Sequence, residues 1–355
     1  MTSGYSTTCH VSSAGPPTRH KNQTREAILA SSDSRPLSGS VALVTGASRG
    51  IGKGIAIELG VAGATVYLTG RTVNATPGLP GTLGETVEEI RRLGGDAIAV
   101  QCDHADDKAV RAVFDRIVAD HDRLDLLVNN ATAMDDYHDS IGKPFWELSV
   151  ATWESTMNVG LRSHFVASQM AAPIMVRQGR GMIVNVSSIG AFEYLLSVPY
   201  GTCKGALHKL THDTAIELVP HNVTVTSIWP GLVITEPILL VAEKQPDGHL
   251  ELMGVDLRVA ETPRFSGRAV VAIATDPKPL RFAGQPLICA QLARDYGFTD
   301  LDGNLPPVIR TNADVFDGLT EDTIPPLYAG LYKAQLAAGR VTDSPLGLRV
   351  PKGAA

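Results

Sequence analysis

The chain has 355 residues, 44% hydrophobic and 19% charged, enough apolar material to bury a sizeable core in one large domain or two small ones. A formal net charge of −6 leaves no Lys/Arg excess to neutralise phosphates, which argues against nucleic acid as the main partner. Cys9, Cys102, Cys203 and Cys289 are scattered with no C-x-x-C pair, so neither a disulfide framework nor a zinc site is expected, and free thiols in a reducing compartment fit.

The N-terminal residues 1–36 are rich in Ser, Thr, Gly and Pro without apolar periodicity and read as a disordered extension. Arg19, Arg25 and Arg35 slightly resemble a transit peptide, but Glu26 and Asp33 interrupt it, and no signal-peptide apolar stretch is present. No run approaches the roughly 18 apolar residues of a membrane span. A soluble, cytoplasmic protein without an integral membrane segment is the expectation.

From Val41 short apolar runs alternate with helical patterns. Strands are expected at Val41–Thr45, Thr65–Thr69, Ala97–Gln101, Leu124–Val128, Met182–Val186 and Val223–Ile228, with a last one near Gln285–Cys289. Helices are expected near 51–62, 83–94, 105–121, 152–178, 200–219 and 266–275. Continuous apolar strands suit a parallel sheet covered on both faces, and the alternation predicts an α/β fold of the doubly wound, Rossmann type in a single domain over 37–290. The Pro-interrupted stretch 231–262 reads as a mobile lid over a substrate cleft, with a surface helical insert as the plainer alternative. Residues 291–355 read as a C-terminal extension with one helical stretch around Pro325–Ala338.

The first strand runs directly into Gly46-Ala47-Ser48-Arg49-Gly50-Ile51-Gly52 and then a helix. Glycines there let the backbone turn sharply and approach a pyrophosphate at the helix N-terminus. At the end of the second strand an acid would bind the ribose 2′-hydroxyl of NAD. Gly70 stands in its place, followed by Arg71, whose planar fork suits a 2′-phosphate, and Arg49 can approach the same group. NADP(H) is therefore the expected cofactor. Asp103, after the third strand, is placed to accept from the adenine amino group. Cys102 and His104 beside it lack a third ligand, so no metal is expected. Asn129, Asn130 and Ala131 end the fourth strand, with amides that can brace neighbouring strand ends and the cofactor.

After the fifth strand come Ser187 and Ser188, then Tyr200-Gly201-Thr202-Cys203-Lys204. Four residues apart on a helix, Tyr200 and Lys204 share one face. A phenol titrates near pH 10, and a neighbouring ammonium stabilises its anion, so the pair reads as an acid/base centre. A strand-end serine can hold the substrate oxygen. Tyr194, with Phe192 and Leu195–Leu196, can line an apolar pocket or simply pack. His208 and His212 lack the glutamate of a metalloprotease helix and are expected on a polar helix face.

The ordered set Thr45-Gly46-x-x-x-Gly50-x-Gly52, Asn129-Asn130-Ala131, Met157-Asn158-Val159-Gly160, Ser188, Tyr200-x-x-x-Lys204 and Pro230-Gly231 resembles that of short-chain dehydrogenases/reductases over residues 38–290. Gly63–Arg71, Val198–Gly201, Trp229–Gly231, Ala274–Pro277 and Leu292–Gly297 resemble the branch of dehydrogenase/reductase SDR family member 1. The resemblance implies that Asn158 holds a water in a proton relay through Lys204 to Tyr200, and that Pro230, Gly231 and Thr235 contact the nicotinamide side. It also implies reduction of steroid-like or other lipophilic ketones.

Two departures stand out. Thr132 follows Ala131 where Gly is usual. The usual serine-to-tyrosine spacing of 13 selects Ser187, whereas the local Asn-x-Ser-Ser pattern selects Ser188, the reading adopted here. The expected function is NADPH-linked carbonyl reduction or alcohol oxidation on a small molecule. A 3-oxo reductase of acyl chains and a non-catalytic NADP-binding regulator are the alternatives. A homo-oligomer, dimer or tetramer, is expected, with Ala206, Leu207 and Leu210 either in the core or across a dimer.

Overall fold

The computed structural model describes residues 35–74, 80–133, 140–141, 143–252 and 255–310. Almost all of the N-terminal extension and the helical stretch expected at 325–338 lie outside the described residues. Each expected strand forms: β1 (Val41–Thr45), β2 (Thr65–Gly70), β3 (Asp96–Gln101), β4 (Leu126–Asn129), β5 (Gly181–Val186), β6 (Val223–Trp229) and β10 (Pro286–Ile288). They build one parallel sheet in the order β10-β6-β5-β4-β1-β2-β3. The central strand β1 is apolar on both faces because both are covered, whereas the edge strand β3 leaves Asp96, Ala99 and Gln101 exposed. Ala42 and Val44 join the core beneath α1 (Gly50–Val61), α2 (Leu83–Arg92) and α8 (Pro263–Ala274). Val41 and Leu43 point into the opposite core, beneath α3 (Asp107–His121), α5 (Ser163–Gln178) and α6 (Val198–Leu218). The chain leaves β1 toward β2 and β3, then returns to place β4 on its other side. That reversal opens a crevice at the carboxyl edge between β1 and β4, where such sheets bind ligands.

The single helix expected over 152–178 is instead interrupted. α4 (Val150–Met157) passes through a π turn at Asn158–Arg162 before α5 begins, with the Ser163 amide donating to the Asn158 carbonyl. The turn lies close against α6: a Cβ on Gly160 would stand 2.8 Å from Cys203 Sγ. Such bulges recur at functional sites.

Residues 231–262 form an insert of one short helix, α7 (Glu236–Val241), and a three-stranded antiparallel sheet, β7 (Glu243–Lys244), β8 (Leu250–Leu252) and β9 (Val255–Asp256). Its two ends meet: the Glu261 amide donates to the Leu232 carbonyl (2.8 Å) and the Ile234 amide to the Glu261 carbonyl (2.9 Å). The boundary expected at 290 falls inside α9 (Cys289–Tyr296), whose Leu292 and Ala293 are core residues. Beyond it, the Asp300 carboxylate accepts from the Thr262 amide and hydroxyl, both at 2.6 Å, fastening the returning end of the insert.

Where α1 crosses α8, the helices touch backbone to backbone. A Cβ on Gly267 would stand 2.6 Å from the Gly54 carbonyl oxygen, and one on Gly54 would stand 2.2 Å from the Pro263 backbone. Arg264 Nε donates to Glu58 Oε1 (2.6 Å) across the same crossing. Gly267→Ala is therefore expected to lower the urea-unfolding free energy by about 1–3 kcal/mol through overpacking. An unchanged midpoint would show that the helices part without cost.

Three buried titratable groups bear on pH stability. Burial lowers His104 to about 4 and His164 to about 3, and raises Glu261 to about 8. Asp300 adds to the shift of Glu261, and Ser266 Oγ, donating to its Oε1 at 3.1 Å, opposes it. Folded, each histidine binds fewer protons than in the unfolded chain as pH falls below 6.5, so acid removes stability through that window. Folded Glu261 binds more protons than unfolded Glu between pH 4.5 and about 8, so stability falls as pH rises through that range. Denaturant titrations across pH are expected to show losses on both sides, with Glu261→Gln removing part of the alkaline loss. An alkaline limb identical in the variant and the parent would contradict the burial of a neutral carboxyl.

Candidate active site

At the cofactor end, the β1–α1 turn is held from beneath by the end of β4. Asn130 Nδ2 donates to the carbonyls of Thr45 (2.9 Å) and Gly46 (3.0 Å), while Thr45 Oγ1 accepts from the amides of Asn130 (2.9 Å) and Ala131 (3.0 Å). This leaves no room for a side chain at Gly52, where a Cβ would lie 2.3 Å from Asn130 Nδ2 and 2.4 Å from the Gly46 carbonyl oxygen. Gly46 and Gly50 take φ of 67° and 58°, in the left-handed region that favours glycine. Ser48 is buried in this turn and Ile51 half-buried. The α1 N-terminus accepts an anion: the Gly50 amide donates to a Glu236 carboxylate oxygen at 2.8 Å. A side-chain-free backbone at a helix N-terminus that binds carboxylate oxygen fits a pyrophosphate.

At the end of β2, a Cβ on Gly70 would lie 3.5 Å from Leu83 Cδ2 and 3.7 Å from Ser48 Oγ, at ordinary contact distance from the turn. Arg49 reaches the same strand end, where Nη2 donates to Thr72 Oγ1 (3.2 Å) and the Gly81 carbonyl (2.9 Å), and Nε to the Pro80 carbonyl (3.0 Å). Arg71 is exposed one residue from Thr72. Asp103 is exposed after β3, with Oδ1 accepting from the Ala105 amide (2.9 Å). His104 is bonded to Thr69 Oγ1 at 2.8 Å, and no metal-binding cluster occurs among the described residues.

At the chemical end, the structure brings Ser188, not Ser187, to the tyrosine. Tyr200 Oη donates to Ser188 Oγ at 2.8 Å, and the Gly190 amide donates to the same oxygen at 3.1 Å. Ser187 Oγ is buried on the other side without a hydrogen-bond partner among the described residues. Ser197 caps α6 by accepting from the Tyr200 amide (3.4 Å), which sets the tyrosine in the first turn. The ring lies against Gly190, where a Cβ would stand 2.7 Å from Cε1. One turn on, Lys204 is buried beneath the ring, its Nζ 5.7 Å from the ring centroid and donating to the Val186 carbonyl at 2.9 Å. Burial lowers the lysine's pKa, easing release of its proton. Asn158 is half-buried at the first residue of the π turn, which packs against α6.

A buried polar line joins the two ends. Asn129 Nδ2 donates to Asn185 Oδ1 (2.9 Å), and Asn185 Nδ2 to Thr211 Oγ1 on α6 (2.9 Å). His164, which sequence reasoning passed over, sits 2.9 Å from the Ala131 carbonyl oxygen. Being neutral, it can donate there, which fixes the strand end where Thr132 replaces the usual glycine. Pro230 and Gly231 are half-buried at the end of β6, with Glu261 Oε2 3.3 Å from where a Gly231 Cβ would stand. Thr235 approaches Gly50, its Cγ2 3.4 Å from a Cβ placed there. The contacts of Glu236 and Glu261 had no signal in the sequence, because each joins segments that only the folded insert brings together.

Between Ser188 and Tyr200, Phe192 packs on Trp229 (5.1 Å between ring centroids) and on His208 (4.9 Å), so His208 is half-buried against an aromatic ring and not on a polar face. His212 does face solvent, beside Asp213. Tyr194 is half-buried. Leu196, with φ of 63°, is a strained non-glycine residue in the turn leading to Tyr200. Leu207 is a core residue, while Ala206 and Leu210 are half-buried.

Comparison with known proteins agrees with this geometry. A family model described as short chain dehydrogenase matches residues 40–244. Dehydrogenase/reductase SDR family member 1 of Mus musculus is 43% identical over 273 residues, covering 76% of this chain and 85% of the relative. The human protein of the same name is 42% identical over the same extent. Among solved structures, a metagenomic short-chain oxidoreductase in complex with NADP is 31% identical, covering 71% of this chain and 97% of its own, with a TM-score of 0.57. A 7α-hydroxysteroid dehydrogenase complexed with NADH and 7-oxo glycochenodeoxycholic acid is 28% identical, covering 73% and 96%, with a TM-score of 0.60. The chain belongs to the short-chain dehydrogenase family of nicotinamide-dependent oxidoreductases, in the branch of dehydrogenase/reductase SDR family member 1.

Proposed function

We propose that the protein is an NADPH-dependent carbonyl reductase of lipophilic ketones, running in reverse as an alcohol dehydrogenase. The observation that carries this reading is the Tyr200–Ser188 hydrogen bond of 2.8 Å, above a buried Lys204 and after the strand that neighbours β4. The Gly46–Gly52 turn would hold NADPH, which would supply the hydride when bound. Ser188 Oγ and Tyr200 Oη, already within hydrogen-bond distance of each other, together hold the carbonyl oxygen of the substrate. Tyr200 then gives its proton to that oxygen as negative charge develops there, yielding the alcohol. Lys204, fixed by the Val186 carbonyl, places a cationic group beneath the ring and stabilises the phenolate left behind. Asn158, at the π turn against α6, is assigned to hold the water that returns the proton through Lys204.

Several features support NADPH over NADH: Gly70 in place of an acid, Arg71 after it, and Arg49 drawn onto Thr72 at the same strand end. The roles of Asp103 at adenine and of Pro230, Gly231 and Thr235 at the nicotinamide side are part of this proposal. Apolar substrates are supported by Phe192, Tyr194, Leu195 and Leu196 before Tyr200, and by the exposed Leu239, Leu240 and Val241 of α7. The 7-oxo glycochenodeoxycholic acid named in the complex of a solved relative points the same way. We also propose a homo-oligomer, since Val150, Trp153, Phe165 and Ile216 leave apolar side chains exposed on α4, α5 and α6. No helix among the described residues is long and apolar enough to cross a membrane.

The test is NADPH oxidation over a panel of steroid, quinone, aliphatic and acyl-thioester carbonyls. Lipophilic ketones are expected to turn over and thioesters not. Tyr200→Phe is expected to lower kcat by about a hundredfold or more, the size of a lost general acid. Ser188→Ala is expected to lower kcat by about a hundredfold, as loss of an oxyanion-type donor does. Ser187→Ala should leave turnover within about threefold, having no hydrogen bond to lose; if it alone abolished activity, the serine assignment would be wrong.

Cofactor choice is tested separately. Arg71→Ala should raise KM for NADPH about tenfold, the scale of one lost charge-assisted hydrogen bond, with little change for NADH. A parent enzyme that prefers NADH would contradict the phosphate role.

A further inference from the structure

The Glu236 carboxylate is the one acid in the described structure that sits on the glycine turn. Oε2 accepts from the Gly50 amide at 2.8 Å, across 186 residues of sequence. Gly50 is the first residue of the twelve-residue α1, so this amide lies at the positive end of its dipole, the place where an anion gains most. Thr235 approaches the same glycine from the insert side. Among the described residues Glu236 has no ion-pair partner, and Gly50 is its hydrogen-bond partner. A pyrophosphate oxygen and this carboxylate cannot both occupy the acceptor position on one amide. Their like charges would also repel at that distance.

We propose that Glu236 is a gate on the cofactor cradle, an internal anion that the dinucleotide's pyrophosphate must displace before it seats. The inference rests on the cofactor reading given above and adds to it a built-in competitor. The insert is suited to such movement. Its roots are fixed by the pairing of Leu232 and Ile234 with Glu261 and by Asp300 on Thr262, whereas α7 has no buried residue. Displacing the carboxylate therefore moves a short, shallowly packed helix and leaves both anchor points in place. The same contact would speed the departure of the oxidised dinucleotide, because Glu236 can retake Gly50 as the pyrophosphate leaves.

The gate is tested by NADPH binding, read by the cofactor's own fluorescence in the full chain with no substrate present. Glu236→Gln keeps the shape and removes the charge, and is expected to tighten the NADPH dissociation constant by about tenfold. Glu236→Lys should tighten it further. Equal or weaker binding by Glu236→Gln would overturn the gate. Hydrogen exchange on the parent protein separates this from failure of the cofactor reading. NADPH that protects residues 46–52, with an unchanged Glu236→Gln constant, overturns the gate alone. NADPH that leaves residues 46–52 unprotected overturns the cradle and the gate together.

Discussion

The seam between β1 and β4 is the constraint on which the site depends. Parallel strands that reverse their winding direction leave a crevice there, and the polar ends of both strands must be satisfied without water-filled slack. Thr45 and Asn130 do this reciprocally: a hydroxyl takes two amides of β4's end, and an amide side chain takes two carbonyls of β1's end. Because Asn130 fills the space under the turn, residue 52 has to be glycine, and α1 starts at a fixed point with its amides turned to the crevice. The seam thus sets where an anion can bind.

The chemical centre is tied to that seam through buried polar groups. Asn129 reaches Asn185 on β5, Asn185 reaches Thr211 on α6, and α6 carries Tyr200 and Lys204. Buried amides in such a line have little freedom, since breaking any one bond leaves an unpaired polar group in the core. His164 extends the line to the Ala131 carbonyl and stays neutral because burial and the nearby Lys204 both disfavour its charge. The placement of the glycine turn relative to Tyr200 is therefore set by the sheet itself, while the insert is held at its roots and by the contact of Glu236 with Gly50.

Much of this was legible in the residues. The strands were readable because burial of the sheet keeps them rich in apolar, β-branched residues, and the glycine turn because its position between strand and helix has one physical use. Ser188 was chosen over the usual spacing from its place at the strand end, and it is the serine found on Tyr200. The π turn was not legible: Gly160 and Pro173 lie within 152–178, but the close approach of Gly160 to Cys203 on another helix leaves no local signal. His208 was misplaced for a similar reason: helical spacing put it with His212, but Phe192 folds over it from the preceding loop. Glu236, Glu261 and the extension of the packed body beyond 290 depend on how an irregular insert and tail return to the core, which no local pattern encodes.

The most direct test of the central claim, that one seam aligns a cofactor cradle with Tyr200, is a crystal structure with NADP+ bound. The pyrophosphate is expected on the Gly46–Gly52 turn. The nicotinamide is expected beside Ser188 and Tyr200, leaving room for a carbonyl carbon at about 3–3.5 Å, the separation of a reactive pair. A nicotinamide ring directed away from Tyr200, or a dinucleotide bound elsewhere on the sheet, would contradict it.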